Sequence, residues 1–225
     1  MTGVQLSFAE ENYLKAIYHL QPEGEKPVST NEIAAAMQTR AASVTDMIKR
    51  LSEKKLVRYK KYYGVTITDS GRRSALMVIR KHRLWETFLV EKLKFNWDEV
   101  HEVAEQLEHI RSRLLISRLD EYLGKPRFDP HGDPIPTEEG EMADIQQVQL
   151  HELSPGDCGK VTAVNDSSRA FLQYLDKTGI SIGTMVRVVE EVAFDNSLEV
   201  MLNDKTSIFI SRQVADNLWV QRLHI

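Results

Sequence analysis

The chain has 225 residues, 42% of them hydrophobic and 28% charged, with a formal net charge of −4 and one cysteine. That length holds one large or two to three small domains with enough core to fold unaided, and the lone Cys158 excludes an intramolecular disulfide framework. No apolar run approaches the ~20 residues of a membrane span, and no basic segment followed by an apolar one opens the chain, so neither membrane nor signal peptide is expected and a reducing cytoplasm is the expected location.

The mild net charge hides an asymmetry. Residues 40–83 carry 13 Lys and Arg against 3 Asp and Glu, whereas residues 84–225 carry 14 against 25. A basic block beside an acidic remainder suits a segment that meets a polyanion.

The first third reads as helices that end in a hairpin. "SFAEENYLKAIYHL" opens on Ser7, a plausible N-cap, and Tyr13, Leu14, Ile17, Tyr18 and Leu20 follow a helical period. "PEGEKP" breaks the helix. "STNEIAAAM" places Ser29 and Thr30 before Glu32, a capping-type start to a short helix. After "QTRA", the stretch "ASVTDMIKRLSEKKLV" sets Val44, Met47, Ile48 and Leu51 at core spacing. "VRYKKYYGVTIT" predicts two short strands around a turn at Tyr63-Gly64. A further helix then starts at the cap candidate Asp69.

Helix, short helix, turn, helix and two-stranded wing is the order of a winged helix-turn-helix, whose second paired helix enters the DNA major groove. Candidate DNA contacts are Thr30, Arg40, Ala42, Ser43, Thr45, Asp46, Lys49 and Arg50, with Arg58, Lys60 and Lys61 of the wing suited to phosphates. The apolar helices that follow need a cover, and a homodimer interface supplies one. "GKPRFDPHGDPIPTEEGEMADIQQ" holds four of the seven prolines and reads as a linker, its Asp and His as ordinary loop residues. From Val148 on, alternating apolar and polar residues, with the short helix "SSRAFLQYLDKTGI" between them, predict a small SH3-like β-barrel of about five strands. The expected fold is mainly α with a small β domain. The expected boundaries are a winged helix-turn-helix over 1–73, helices over 74–124, a linker over 125–147 and the barrel over 148–225.

The chemistry concentrates in "HEVAEQLEH". His101, Glu105, Glu108 and His109 fall at i, i+4, i+7 and i+8, within an arc of about 100° on one helix. Glu105 and Glu108 repel unless a cation sits between them. The preceding helix carries His82 and Glu86 at i, i+4 inside "KHRLWE". Two such helices could surround metal ions, or both clusters could be structural. "HEVAE" fails the His-Glu-x-x-His pattern of a zincin helix because residue 105 is Glu. Gln106 precedes His109 where carboxylate-bridged di-iron helices need Glu. With no Gly-rich phosphate loop and no nucleophile elbow, an enzyme is not expected.

"ENYLKAIYHL", "RKHRLWE" and "VHEVAEQLEH", in this order, resemble the diphtheria toxin repressor family of metal-dependent repressors, which includes the manganese transport regulators. The resemblance covers nearly the whole chain and implies a winged helix, dimerisation helices and a C-terminal SH3-like (FeoA-like) domain. It implies a homodimer that binds palindromic double-stranded operator DNA when a divalent metal is bound, and so controls metal-ion homeostasis. It implies a primary metal site of Asn12, Glu105, Glu108 and His109, and an ancillary site of His82, Glu86, His101 and a C-terminal-domain residue, for which Asp166 fits.

The chain departs from the family pattern at Asn12, where Met or Asp is usual. Residue 105 is Glu, as in manganese-type members, where iron-type members have Cys. Lys15 occupies a position where some manganese regulators carry a second carboxylate. Ser167 and Ala170 stand for the Glu and Gln ligands of iron-type C-terminal domains. Oxygen and imidazole donors without sulfur suit Mn²⁺ or Fe²⁺ and give little preference for softer ions; Mn²⁺ is favoured, with two ions expected per subunit. The alternative is a metal-independent winged-helix regulator with structural His/Glu clusters.

Overall fold

A computed structural model describes residues 5–21 and 26–223; residues 22–25 of the helix-breaking "PEGEKP" segment lie outside them. The chain forms two compact units, one of residues 1–82, 105–118 and 135–142, the other of residues 83–104, 119–134 and 143–225.

In the first unit, α1 (Phe8–Leu20), α2 (Thr30–Ala36) and α3 (Ala41–Glu53) precede a hairpin of β1 (Val57–Lys60) and β2 (Gly64–Ile67). The helix starts follow capping chemistry. Ser7 and Glu10 form a reciprocal capping box at α1, and Ser29 and Glu32 form another at α2. Leu14, Ile17, Ile33, Val44, Ile48, Leu51 and Val65 are fully enclosed in one core. The end of α1 is tied to the wing by Gln21, whose Nε2 donates to Val65 O at 2.9 Å and whose Oε1 accepts from Ile67 N at 2.9 Å.

The long helix α4 (Asp69–Glu91) begins differently from the expectation. Thr68, not Asp69, caps it: Thr68 Oγ1 accepts from Gly71 N at 3.1 Å. Gly71 lets the helix lie against the backbone before the wing, since a Cβ there would stand 2.0 Å from Leu56 O. Backbone cannot yield as a flexible side chain does, so Gly71→Ala is expected to cost about 3 kcal/mol, read as a lower unfolding temperature in a thermal melt.

The second unit contains the rest of α4, then α5 (Val100–Leu107) up to Ala104, the end of α6 (Arg113–Tyr122), and a six-stranded antiparallel sheet. Its strands are β3 (Val148–Gln149), β4 (Cys158–Val164), β5 (Met185–Glu191), β6 (Leu198–Leu202), β7 (Thr206–Ile210) and β8 (Leu218–Leu223), ordered β3-β8-β4-β5-β6-β7. The sheet has one strand more than expected, the two-residue β3, and no ladder joins β3 to β7 among the described residues. The helices α7 (Arg169–Thr178) and α8 (Arg212–Asp216) accompany it. Ser168 caps α7, and Gly179 ends it in a left-handed conformation. Leu150, Val161, Leu172, Leu175, Val188 and Val200 lie in the core of this sheet.

Candidate metal centre

α5 ends at Leu107, so Glu108 and His109 lie in the turn that follows and not on one helical face with His101 and Glu105. The stretch serves two clusters.

In the first unit, α1 presents Glu11, Asn12 and Lys15 within little more than one turn, and two of these meet the residues after α5. Lys15 Nζ donates to both Glu108 oxygens, at 2.7 and 2.8 Å, and lies 3.8 Å from Glu105. The cation that the Glu105–Glu108 repulsion calls for is therefore an ammonium, supplied from 93 residues away. His82 Nδ1 also lies 2.6 Å from Glu108 Oε2.

Glu108 is wholly buried. Burial alone would raise its carboxyl, but the His82 hydrogen bond and the Lys15 charge prevail and hold it below the ordinary value. His109 Nδ1 lies 2.6 Å from Glu11 Oε2, and Phe8 stacks on the imidazole with centroids 4.7 Å apart. Lys81, 3.8 Å from Glu11, is pushed down by burial. Asn12 Oδ1 is buried without a hydrogen-bond partner. A polar atom in that state costs about 1–3 kcal/mol unless something binds it.

The second unit centres on Glu86, 2% exposed on α4. His101 Nδ1 lies 3.4 Å from its Oε1, and His131 Nδ1 lies 3.6 Å from its Oε2. Asp129 joins this group. Burial, then Asp133 and Glu86, push its carboxyl up to about 7. Burial opposes the charge of His131, but Glu86 and Asp129 raise the imidazole to about 9. His82 lies one turn before Glu86 on α4.

Asp166, expected near this group, is not among the clustered ligands of Glu86. Its Oδ1 accepts from Ser168 N at 2.7 Å at the start of α7, so its carboxylate supports a local turn. Asp129 and His131, expected as ordinary loop residues, lie in this group; the signal for them is the dense "DPHGD" inside a proline-rich segment.

The proposed DNA contacts Arg40, Ala42, Ser43, Asp46, Lys49 and Arg50 are exposed, as are Lys60 and Lys61; Thr30 and Thr45 are half-buried. Thr45 Oγ1 donates to Ala41 O at 3.0 Å. Asp46 and Lys49 approach to 3.7 Å with both side chains mostly in solvent, a contact that contributes little. At the wing tip Lys60 lies over the Tyr63 ring at 4.0 Å, and Tyr62 turns the chain with a φ of 71°.

Residues 5–65 match the family described as iron dependent repressor, N-terminal DNA binding domain. Residues 68–137 match iron dependent repressor, metal binding and dimerisation domain, and residues 148–222 match the FeoA domain. The chain is 33% identical over 153 residues to the iron-dependent repressor IdeR of Mycobacterium leprae, over 65% of this chain and 66% of that relative, just under two thirds of its length. It is 28% identical to the diphtheria toxin repressor of Corynebacterium efficiens over 92% of this chain and 96% of the other. A solved manganese-dependent transcriptional repressor in complex with manganese superposes with a TM-score of 0.87 at 38% identity, covering 95% of this chain and all of that one.

Proposed function

Because this chain belongs to the diphtheria toxin repressor family of iron- and manganese-dependent repressors, we propose that it is a divalent-metal-activated repressor that binds palindromic operator DNA as a homodimer. The observation that carries the reading is Asn12 Oδ1, a buried acceptor with no partner, on the face of α1 that meets Glu108 and His109. With Glu105, Glu108 and His109 it completes a set of oxygen and imidazole donors for one hard divalent ion. Such a set has no sulfur and suits Mn²⁺ or Fe²⁺, and Glu105, the residue of manganese-type members, favours Mn²⁺. Glu86 and His101 belong to the ancillary site in this reading.

When bound, the ion supplies positive charge between α1 of the DNA-reading module and the turn after α5. The chain's own residues do the remaining work. Asn12 offers a neutral oxygen, Glu108 and His109 offer a carboxylate and an imidazole, and Phe8 covers the imidazole. Lys15 holds Glu108 ionised and placed. A bias of about 1–3 kcal/mol towards the DNA-competent arrangement changes operator affinity by roughly 5–150-fold.

Lys15→Ala separates these roles. Without metal, Glu108 loses its main cation while staying buried, a cost of about 3 kcal/mol. With Mn²⁺ the ion no longer competes with the ammonium, so its affinity rises several-fold. Thermal melts in chelator and a Mn²⁺ titration read the two effects.

The exposed Leu114 and Leu115 of α6 are apolar surface that a partner subunit would cover. The two-fold axis then places two α3 helices on successive major grooves. Sedimentation of the full chain with a palindromic duplex from upstream of its own gene tests the assembly. Complexes with an even number of subunits in Mn²⁺ support the reading, and a single bound subunit contradicts it. Lys60→Ala with Lys61→Ala should lower the salt slope of binding by about 2, one for each lost phosphate contact.

A further inference from the structure

We propose that Glu86, Asp129 and His131 form a further divalent-cation site, which shares Glu86 with the ancillary group and attaches the bound ion to the C-terminal sheet; this rests on the metal-dependent reading above. The three residues are 2%, 8% and 3% exposed, and one ligand atom from each lies within 4.8 Å of the others.

The orientation of the ring favours a ligand. His131 Nε2 lies 2.8 Å from Trp97 O, and a carbonyl can only accept, so Nε2 donates its hydrogen there. Nδ1 is then the atom that faces Glu86 Oε2, at 3.6 Å. Imidazoles that bind metals commonly donate their other N–H to a carbonyl in this way, which fixes the ring and raises its basicity.

The loop is also built to hold the ring still. Trp97 stacks on His131 at 6.0 Å with 18° between the planes. Asp129 Oδ1 accepts from His131 N at 2.9 Å and from Asp133 N at 3.0 Å, while Arg83 Nε stands 3.5 Å from Oδ2. His131 O accepts from Val164 N at 3.0 Å. Gly132, with a φ of +86°, passes so close to β4 that a Cβ would stand 1.9 Å from Thr162 O. An ion on His131 is thereby coupled to β4 through backbone, a route that does not involve Asp166.

Two measurements on the full chain test the site. In the wild type saturated with Zn²⁺, which is diamagnetic and binds such donors more strongly than Mn²⁺, long-range ¹H–¹⁵N spectra should show His131 Nδ1 at a metal-bound shift with Nε2 still protonated. Equilibrium dialysis with Mn²⁺ should find one ion fewer per subunit for His131→Gln and for Asp129→Asn, and no change for Asp166→Ala. Asp129→Asn keeps the oxygen that accepts from the His131 and Asp133 amides, so a loss there is not a folding defect. A protonated Nδ1 in saturating Zn²⁺, or full Mn²⁺ occupancy in both variants, would overturn the proposal and leave the primary site standing. A wild type that binds no ion at all would remove the metal-dependent reading itself.

Discussion

Glu108→Gln is expected to abolish metal activation of DNA binding, leaving operator affinity in Mn²⁺ equal to that in chelator. Glu108 is wholly enclosed and is gripped by Lys15 and His82. The amide keeps its shape and one acceptor oxygen but removes the charge that a hard cation needs. The loss should equal the whole metal effect, roughly 5–150-fold in affinity. His109→Ala should give the same functional loss by another route, since it deletes the imidazole that Glu11 orients at 2.6 Å. Fluorescence anisotropy of a labelled operator, with circular dichroism to check folding, reads both. Either variant binding in Mn²⁺ as the wild type does would count against the primary site.

Asn12→Leu is expected to change sign with metal. In chelator, the variant removes a buried oxygen that has no partner and should be as stable as the wild type or more so by about 1 kcal/mol. In Mn²⁺ at 100 times the dissociation constant, the wild type gains about 2.7 kcal/mol. A variant that binds 100-fold more weakly gains only about 0.4 kcal/mol under the same conditions. The order of the melting temperatures should therefore reverse when the metal is added. Asn12→Asp should do the opposite, with lower stability in chelator and tighter Mn²⁺ binding. A Leu variant stabilised by Mn²⁺ as much as the wild type would show that Asn12 is not a ligand.

Much of the architecture could be read from local signals because those signals act locally. Ser7 with Glu10, Ser29 with Glu32, and Ser168 before α7 satisfy orphan amides within one turn, and a sequence displays that spacing directly. The wing was legible as two short strands, although its turn lies at residues 61–63 and Gly64 already belongs to β2. The site was legible in its residue types but not in its arrangement. A helical projection of "HEVAEQLEH" assumes that the helix continues, and it stops at Leu107. That stop turns Glu108 and His109 towards α1, whereas His101 meets Glu86. The cation between Glu105 and Glu108 comes from Lys15, a pairing that only the tertiary fold creates. His131 depends likewise on β4 passing beside its loop, and Asp166 is engaged by its own Ser168.

A divalent ion is expected to switch DNA binding on. Fluorescence anisotropy of a labelled duplex from upstream of the chain's own gene tests it most directly, in chelator, in Mn²⁺ and in anaerobic Fe²⁺. Salt must be fixed, because phosphate contacts make the affinity fall steeply with ionic strength. Tight binding only with metal is the predicted result, and the ratio of the Mn²⁺ and Fe²⁺ responses then identifies the signal. Equally tight binding in chelator would contradict the claim, leaving a winged-helix DNA-binding protein whose His and Glu clusters serve the fold alone.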